Sequence, residues 1–188
     1  MKLLCSNIEQ IMIKAFMCGF IFHKKFNIKK NEEKKLFKKA SRLIFNRGPD
    51  NKSYFHDKTH NIFHARLNII DLHSRSDQPM SINGYSIIYN GEIYNFKELR
   101  KLLKKSFIFK TSSDTEVLLY AYLKWGKKMF ERIEGMYSFV IYNLRNKTYF
   151  FARDLFGQKP LYYFKDNHEI IFSSEIKPII KLLKFKKV

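Results

Sequence analysis

Cys18 is the residue whose neighbours in the sequence most directly suggest chemistry. It lies between Met17 and Gly19, and the 188-residue chain has only one other cysteine, Cys5. If translation starts at Met17 and that methionine is removed, Cys18 carries both a thiol and a free α-amine. An α-amine has a pKa of roughly 7.7–8.0, so at neutral pH it can take the thiol proton and generate the nucleophilic thiolate. The triplet nevertheless remains a weak signal alone, because most cysteines are small buried apolar residues.

The histidines do not provide an alternative catalytic or metal-binding pattern. His56 and His60 are four residues apart, but no third ligand accompanies them, and we predict that they lie in exposed loops. Cys5 and Cys18 do not form a metal-binding pair. We therefore predict that the chain holds no metal.

Four other positions could supply the polar groups of a hydrolytic site, each with a structural alternative. Arg66 lies in an apolar stretch, where a buried guanidinium needs a carboxylate from the protein or from a substrate. Asn90 and Gly91 offer an amide and a backbone N–H for an oxyanion hole, although Asn-Gly is also the commonest hairpin turn. Asp114 follows Ser113 at a predicted helix start, where taken alone an N-cap is the favoured explanation.

Composition excludes several classes of protein. Hydrophobic residues make up 45% of the chain, and no apolar run is long enough to span a bilayer. The net charge of +19 could indicate nucleic-acid binding, but the lysines are dispersed, and we do not expect that to be the main function. Two cysteines are too few for a disulfide framework, so we predict a reducing, cytoplasmic location.

Periodicity predicts an α+β fold with antiparallel sheets and helices packed outside them. Asn95 with Glu98, and Ser113 with Glu116, have the spacing of capping boxes. The predicted helices are 31–46, 95–105, 113–126 and 174–184, the predicted single strands are 62–70 and 85–90, and the predicted hairpins are 138–143 with 148–153 and 161–165 with 169–173.

Taken together and in this order, the motifs resemble the glutaminase domain of asparagine synthetases. This domain is a class II glutamine amidotransferase of the N-terminal-nucleophile hydrolase superfamily. The resemblance extends from Met17 almost to the C-terminus. It rests on MCGF, RGPD, HARLNIIDL (64–72), QPM (78–80), NGEIYNFKELR (90–100), SSDTEVLLYAY (112–122), GMYSFVIY (135–142), RDLFGQKPLYY (153–163) and SSEIK (173–177).

The resemblance implies a fold and a role for each matching residue. The fold is an αββα sandwich, in which two antiparallel sheets face each other and helices cover the outside. Cys18 would attack the glutamine amide, with its α-amine as base, and Asn90 and Gly91 would form the oxyanion hole. The remaining implied roles are Arg66 for the α-carboxylate, Asp114 for the α-ammonium, Glu92 for a further polar contact, Leu67, Ile69 and Ile70 as pocket lining, and Arg47 as support for the nucleophile.

The resemblance also implies what to expect of the rest of the protein. We expect residues 1–17 to be an N-terminal extension, either absent from the translated protein or cleaved, and residues 18–188 to be the amidotransferase domain. The chain needs no cofactor under this interpretation, since ATP and Mg would belong to a synthetase domain that this sequence lacks. The expected partners are L-glutamine, a separate synthetase chain and, in a homodimer, a second copy.

Besides nucleic-acid binding, which only the charge suggests, two functions remain open from the sequence. The first is glutamine hydrolysis that supplies ammonia for the amidation of aspartate. The second is a non-catalytic remnant of the same fold that acts as a binding or regulatory module, because an acylated nitrogen on Cys18 cannot act as a base.

Overall fold

Two antiparallel β-sheets form the centre of the molecule. The computed structural model describes residues 17–25 and 30–183, and residues 1–16, on which the predicted extension falls, lie outside these ranges. The first sheet has the strand order β2-β3-β1-β9-β8, with β1 (Gly19–Lys25), β2 (Asn51–His56), β3 (His60–Arg66), β8 (Tyr162–Lys165) and β9 (Glu169–Ser173).

The second sheet and the helices complete the element order. This sheet has the order β4-β5-β6-β7, with β4 (Met80–Ile82), β5 (Tyr85–Ile93), β6 (Gly135–Asn143) and β7 (Tyr149–Arg153). The helices are α1 (Lys30–Ser41), α2 (Phe96–Leu103), α3 (Asp114–Trp125) and α4 (Ile176–Leu182), with short 3₁₀ turns at Arg42–Ile44, Ser74–Ser76 and Gly126–Glu131.

Three apolar clusters arrange these elements in four layers. Phe37 and Ile179 bring α1 and α4 onto the outer face of the first sheet. Leu99 and Leu118 bring α2 and α3 onto the outer face of the second. Between the sheets, the alternation of side chains along each strand places a third cluster: Phe20, Phe22, Ile62, Ile88, Val140, Tyr142, Ile170 and Phe172. The layers therefore follow the order helix, sheet, sheet, helix, which confirms the predicted αββα sandwich.

Both predicted hairpins form, since β6 pairs with β7 and β8 with β9. The strand predicted over 62–70 ends at Arg66 instead, and the apolar residues 67–70 continue as a loop. Asn90-Gly91 is not a turn, because both residues lie inside β5.

The capping predictions were only partly right. Asn95 does not cap α2 with its side chain, which instead bonds to the Arg132 carbonyl and the Glu134 N–H. Ser113 does cap α3, accepting from the Thr115 N–H at 3.0 Å, but Glu116 turns back to the N–H groups of residues 110 and 111. The prediction of exposed loop histidines was also wrong, because His56 lies in β2 and His60 is buried in β3.

Candidate active site

A pocket of about 410 Å³, open to solvent, lies at the end of the sandwich where β1 begins and β3 ends. Residues from five separate parts of the chain meet there. Eight of the ten predicted site residues line it: Cys18, Arg66, Leu67, Ile69, Ile70, Gly91, Glu92 and Asp114. The pocket therefore brings together side chains that lie almost one hundred positions apart in the sequence.

Cys18 is half-buried and held by the first residue of the loop after β3. The Leu67 N–H donates to the thiol sulfur at 3.3 Å, and the thiol is 3.6 Å from the Leu67 carbonyl oxygen. Burial raises the pKa of the Cys18 thiol, although the Leu67 hydrogen bond opposes this effect. At neutral pH the resting thiol is therefore protonated, and attack on a carbonyl carbon requires a base.

Arg47 fixes the main chain of the nucleophile. Its Nε donates to the Cys18 carbonyl oxygen at 3.1 Å, and its Nη1 lies 3.3 Å from Glu175. The next residue, Gly48, packs so tightly against β3 that an added Cβ would lie 2.2 Å from the Ala65 carbonyl carbon. Because Ala65 pairs with Gly19, this close approach lies beside the start of β1, and the supporting role of Arg47 stays a prediction.

Asn90 does not line the open part of the pocket but lies directly before Gly91 in β5. Its side chain is 1% exposed, and in the described part of the chain its Nδ2 has no hydrogen-bond acceptor. An unpaired buried donor is costly, and it is the kind of group that the predicted oxyanion-hole role of Asn90 requires.

Asp114 opens α3 and is 5% exposed. Its Oδ2 accepts from the Tyr89 hydroxyl at 2.9 Å and from the Ile93 N–H at 3.1 Å. Burial raises the pKa of this carboxyl, and the two hydrogen bonds only partly offset that effect. A bound ammonium group would favour the ionised carboxylate.

Arg66 already has a carboxylate partner within the protein. Its Nη1 donates to Asp77 at 2.7 Å and to the His73 carbonyl at 3.0 Å, and its Nη2 donates to the Asp71 carbonyl. The Nε–H is not used in these three contacts. Of the two partners considered from the sequence, a protein carboxylate or a substrate carboxylate, the protein thus supplies one, and Arg66 also lines the pocket.

Three further groups around the pocket were not singled out from the sequence. Tyr89 holds Asp114, and strand alternation from Asn90 could have placed it on the helix side of β5. Lys159, within the RDLFGQKPLYY motif, is 7% exposed, and its Nζ lies 3.2 Å from the Met17 sulfur. Burial lowers the pKa of Lys159, and the Glu92 carboxylate opposes this effect. Asp77 had no distinguishing pattern, because its contact with Arg66 depends on the loop fold.

Within residues 17–25 and 30–183, no group of three or more His, Cys, Asp and Glu side chains is arranged to hold a metal ion. The expectation that the chain works without a cofactor stays a prediction. No helix among the same residues combines the length and apolar character needed to cross a bilayer.

Sequence comparison identifies relatives over nearly the whole chain. The family described as a glutamine amidotransferase domain matches residues 17–188. Asparagine synthetase [glutamine-hydrolyzing] 1 of Bacillus subtilis is 41% identical over 169 residues, and asparagine synthetase [glutamine-hydrolyzing] 3 of the same organism is 35% identical over 170. Each alignment covers 87% of this chain but 27% of the relative, so the chain spans about a quarter of the length of these relatives.

Comparison with solved structures supports the same fold. A glutamine phosphoribosylpyrophosphate amidotransferase from B. subtilis, complexed with ADP and GMP, superposes with a TM-score of 0.66 at 19% identity, covering 88% of this chain and 43% of that one. At this identity the likeness concerns the fold alone. The family match, the synthetase relatives and the sandwich agree with one another, and the chain belongs to the glutamine amidotransferase domain family.

Proposed function

We propose that this chain is the glutaminase part of a glutamine-hydrolysing asparagine synthetase. The observation that carries the proposal is the meeting of Cys18, Arg66 and Asp114 around one pocket. Glutamine is a zwitterion at neutral pH, so its recognition requires one fixed cation and one fixed anion. Arg66 supplies the cation for the α-carboxylate, and Asp114 supplies the anion for the α-ammonium. This leaves the side-chain amide directed toward the thiol.

The proposed reaction proceeds through a thioester. The Cys18 thiol gives its proton to the base, and the sulfur bonds to the amide carbon of glutamine. The resulting oxyanion accepts hydrogen bonds from the Asn90 side chain and the Gly91 N–H. The carbon–nitrogen bond then breaks as the base returns the proton to the nitrogen, which leaves as ammonia. Water hydrolyses the γ-glutamyl thioester and releases glutamate, which restores the thiol.

The proposed base is the α-amine of Cys18 itself. This role requires that the peptide bond between Met17 and Cys18 be absent from the working enzyme, because an amide nitrogen is not basic. Because burial raises the pKa of the Cys18 thiol and keeps it protonated, Cys18 needs a base close by. Glu92 contributes a polar contact, Leu67, Ile69 and Ile70 line the pocket, and Arg47 supports the nucleophile.

The names of the relatives support a proposal for how the ammonia is used. We propose that it amidates aspartate on a synthetase domain, which would bind ATP and Mg. A cytoplasmic location and a homodimer complete the proposal. The pairing with a synthetase is supported by glutamine-hydrolysing asparagine synthetases that are about four times as long as the matched region.

The test is intact-mass measurement of the protein purified from its own cells, before and after 6-diazo-5-oxo-L-norleucine, a reactive glutamine analogue. We expect a mass that begins at Cys18 and gains one covalent adduct. The Cys18→Ala variant should gain none. A mass that retains Met17 and forms no adduct would contradict the proposal and support the non-catalytic module instead.

A further inference from the structure

Asp71 occupies an unusual position in the loop after β3. Its backbone has a φ of 52°, a left-handed conformation that Asp tolerates better than most residues. This conformation points its carbonyl oxygen at the Arg66 guanidinium, from which it accepts a hydrogen bond. Its carboxylate points the other way, toward the segment that leads into α3, where the Ser112 N–H donates to Oδ2 at 2.6 Å.

The segment on the far side of this contact is itself firmly held. The Thr111 N–H and hydroxyl both donate to Glu116 at 2.7 Å, and the Thr111 carbonyl accepts from Arg100. Ser113 then caps α3, which fixes Asp114 at the first helical position. Residue 112 is therefore tied to the start of α3, two positions before Asp114, whose carboxylate is also held by Tyr89 and the Ile93 N–H.

One hydrogen bond joins the loop after β3 to the segment before α3. In the part of the chain that the structure describes, the bond from Ser112 to Asp71 is the only hydrogen bond between loop 67–77 and segment 111–113. The main-chain carbonyl of Asp71 thus contacts Arg66, which is proposed to bind the α-carboxylate. The side chain of Asp71 contacts the segment directly before Asp114, which is proposed to bind the α-ammonium.

We propose that Asp71 is a positioning residue that fixes the separation of Arg66 from Asp114 and thereby selects substrates carrying both charges. This inference rests on the proposed glutaminase function. A substrate with two charged groups gains from both ligands only if their spacing matches its own. A substrate with one charge is indifferent to that spacing.

Asp71 is equipped to remain an acceptor at any physiological pH. Burial alone would raise the pKa of its carboxyl, but the hydrogen bonds from Ser112, Arg75 and His73 hold that pKa well below its usual range. Arg75 reaches the same Oδ2 at 3.1 Å from outside, with a side chain 51% exposed. Arg75→Ala is therefore a matched control, since it removes a partner of the carboxylate and leaves the contact with Ser112.

The test compares two substrates in Asp71→Gly, because glycine keeps the left-handed backbone and removes only the carboxylate. L-glutamine carries both charges, whereas glutaric acid monoamide lacks the ammonium. For L-glutamine we expect kcat/KM to fall about tenfold or more through KM, with kcat changed less than about twofold. For the monoamide we expect a loss of less than about threefold, and Arg75→Ala should match the parent protein on both substrates.

Equal losses on both substrates would show a general structural role and overturn the proposal, as would an unchanged KM for glutamine. If Asp71→Gly does not fold, Asp71→Asn replaces it, because Asn also tolerates this backbone and keeps one acceptor oxygen. We expect it to show an intermediate loss of selectivity.

A second measurement does not depend on activity. Amide hydrogen exchange followed by NMR should show the Ser112 N–H protected in the parent protein and in Arg75→Ala, and exposed in Asp71→Gly. Unchanged protection would rule out Asp71 as the connection. A parent protein without glutaminase activity that still shows this pattern would contradict the proposed function, and the connection itself would stand.

Discussion

The space between the two sheets has two unlike ends. The aromatic end consists of Phe20, Phe22, Ile88 and Phe172 with their neighbours Tyr142 and Tyr149, and its rings pack 5.5–6.1 Å apart around Phe22. The polar end consists of Cys18, Arg66 and Asn90. Cys18 is two positions before Phe20 at the start of β1, and Asn90 is two positions after Ile88 in β5, so a short step along the chain separates the two sets. The comparison separates an apolar end, which stabilises the fold, from a polar end, whose groups we propose take part in the reaction.

The largest effect we expect comes from the nucleophile at the polar end. Cys18→Ala should lower glutaminase activity by at least about 10⁴-fold, because no other group can form the thioester. The urea midpoint of unfolding should change little, since the thiol makes weak hydrogen bonds. Activity assays and urea unfolding on the same preparation check both expectations. Thioester formation by Cys18→Ala would contradict the assignment of Cys18 as the nucleophile.

At the aromatic end the effect should fall on stability. Phe22 is 1% exposed, so Phe22→Ala should cost about 3–5 kcal/mol in the free energy of unfolding. The kcat/KM of the molecules that remain folded should stay within about twofold of the parent. Urea unfolding and assays at a temperature where the variant is folded measure the two. A large loss of activity per folded molecule would mean that the two ends are coupled.

Removing the unpaired amide of Asn90 should lower activity with little loss of stability, the reverse of what we expect for Phe22→Ala. Asn90→Ala should lower kcat by about 10²–10³-fold, the loss found when one oxyanion donor is removed. Because Nδ2 has no acceptor among the described residues, the stability cost should be small for a side chain so buried. Steady-state kinetics and unfolding of this variant beside Phe22→Ala provide the contrast. A stability loss equal to that of Phe22→Ala would contradict it.

His64 lies between the two ends and makes the fold sensitive to acid. Its ring nitrogen Nε2 lies 3.2 Å from the Tyr89 carbonyl, and burial lowers the pKa of His64 to about 4. A depressed pKa means that its stability contribution is complete above about pH 6.5 and is lost as the pH falls toward 4. From a folded pKa of about 4 we expect that loss to be about 3 kcal/mol.

The measurement is urea unfolding of the parent and of His64→Gln at several pH values between 7.5 and 4. Glutamine can still donate to the Tyr89 carbonyl but does not titrate. The variant should lose less stability on acidification than the parent does. Parallel pH profiles would show that His64 is not responsible for the acid sensitivity.

The fold was predictable where the determining contacts are local. Each hairpin consists of two apolar strands around a short turn, so the pattern alone locates it. The end of β3 was not predictable in this way, because residues 67–70 are apolar enough to continue a strand. What ends the strand is distant in sequence: the thiol of Cys18, 49 positions away, accepts from Leu67, and the Asp50 carboxylate accepts from the Asn68 N–H at 2.7 Å.

The site shows the same division. The motifs identified eight residues that do line one pocket, and their roles stay predictions until the variants are tested. The motifs did not reveal that Arg66 is already paired with Asp77, or that Asp71 reaches Ser112 across 41 positions. These contacts depend on how two loops approach each other, and a linear pattern carries no information on that approach.

The pairing of β1 with β9 has a consequence for synthesis. The strand that begins one residue after Cys18 is a central strand, and its Phe20 N–H donates to the Ser174 hydroxyl, 154 positions later. At about 5–20 residues per second, a ribosome needs on the order of 8–30 s to make the intervening chain. Until then the first sheet is incomplete, and the segment around Cys18 stays accessible to the enzymes that process new N-termini. If Cys18 becomes N-terminal as proposed, the topology leaves a time window in which its α-amine is exposed before the fold encloses it.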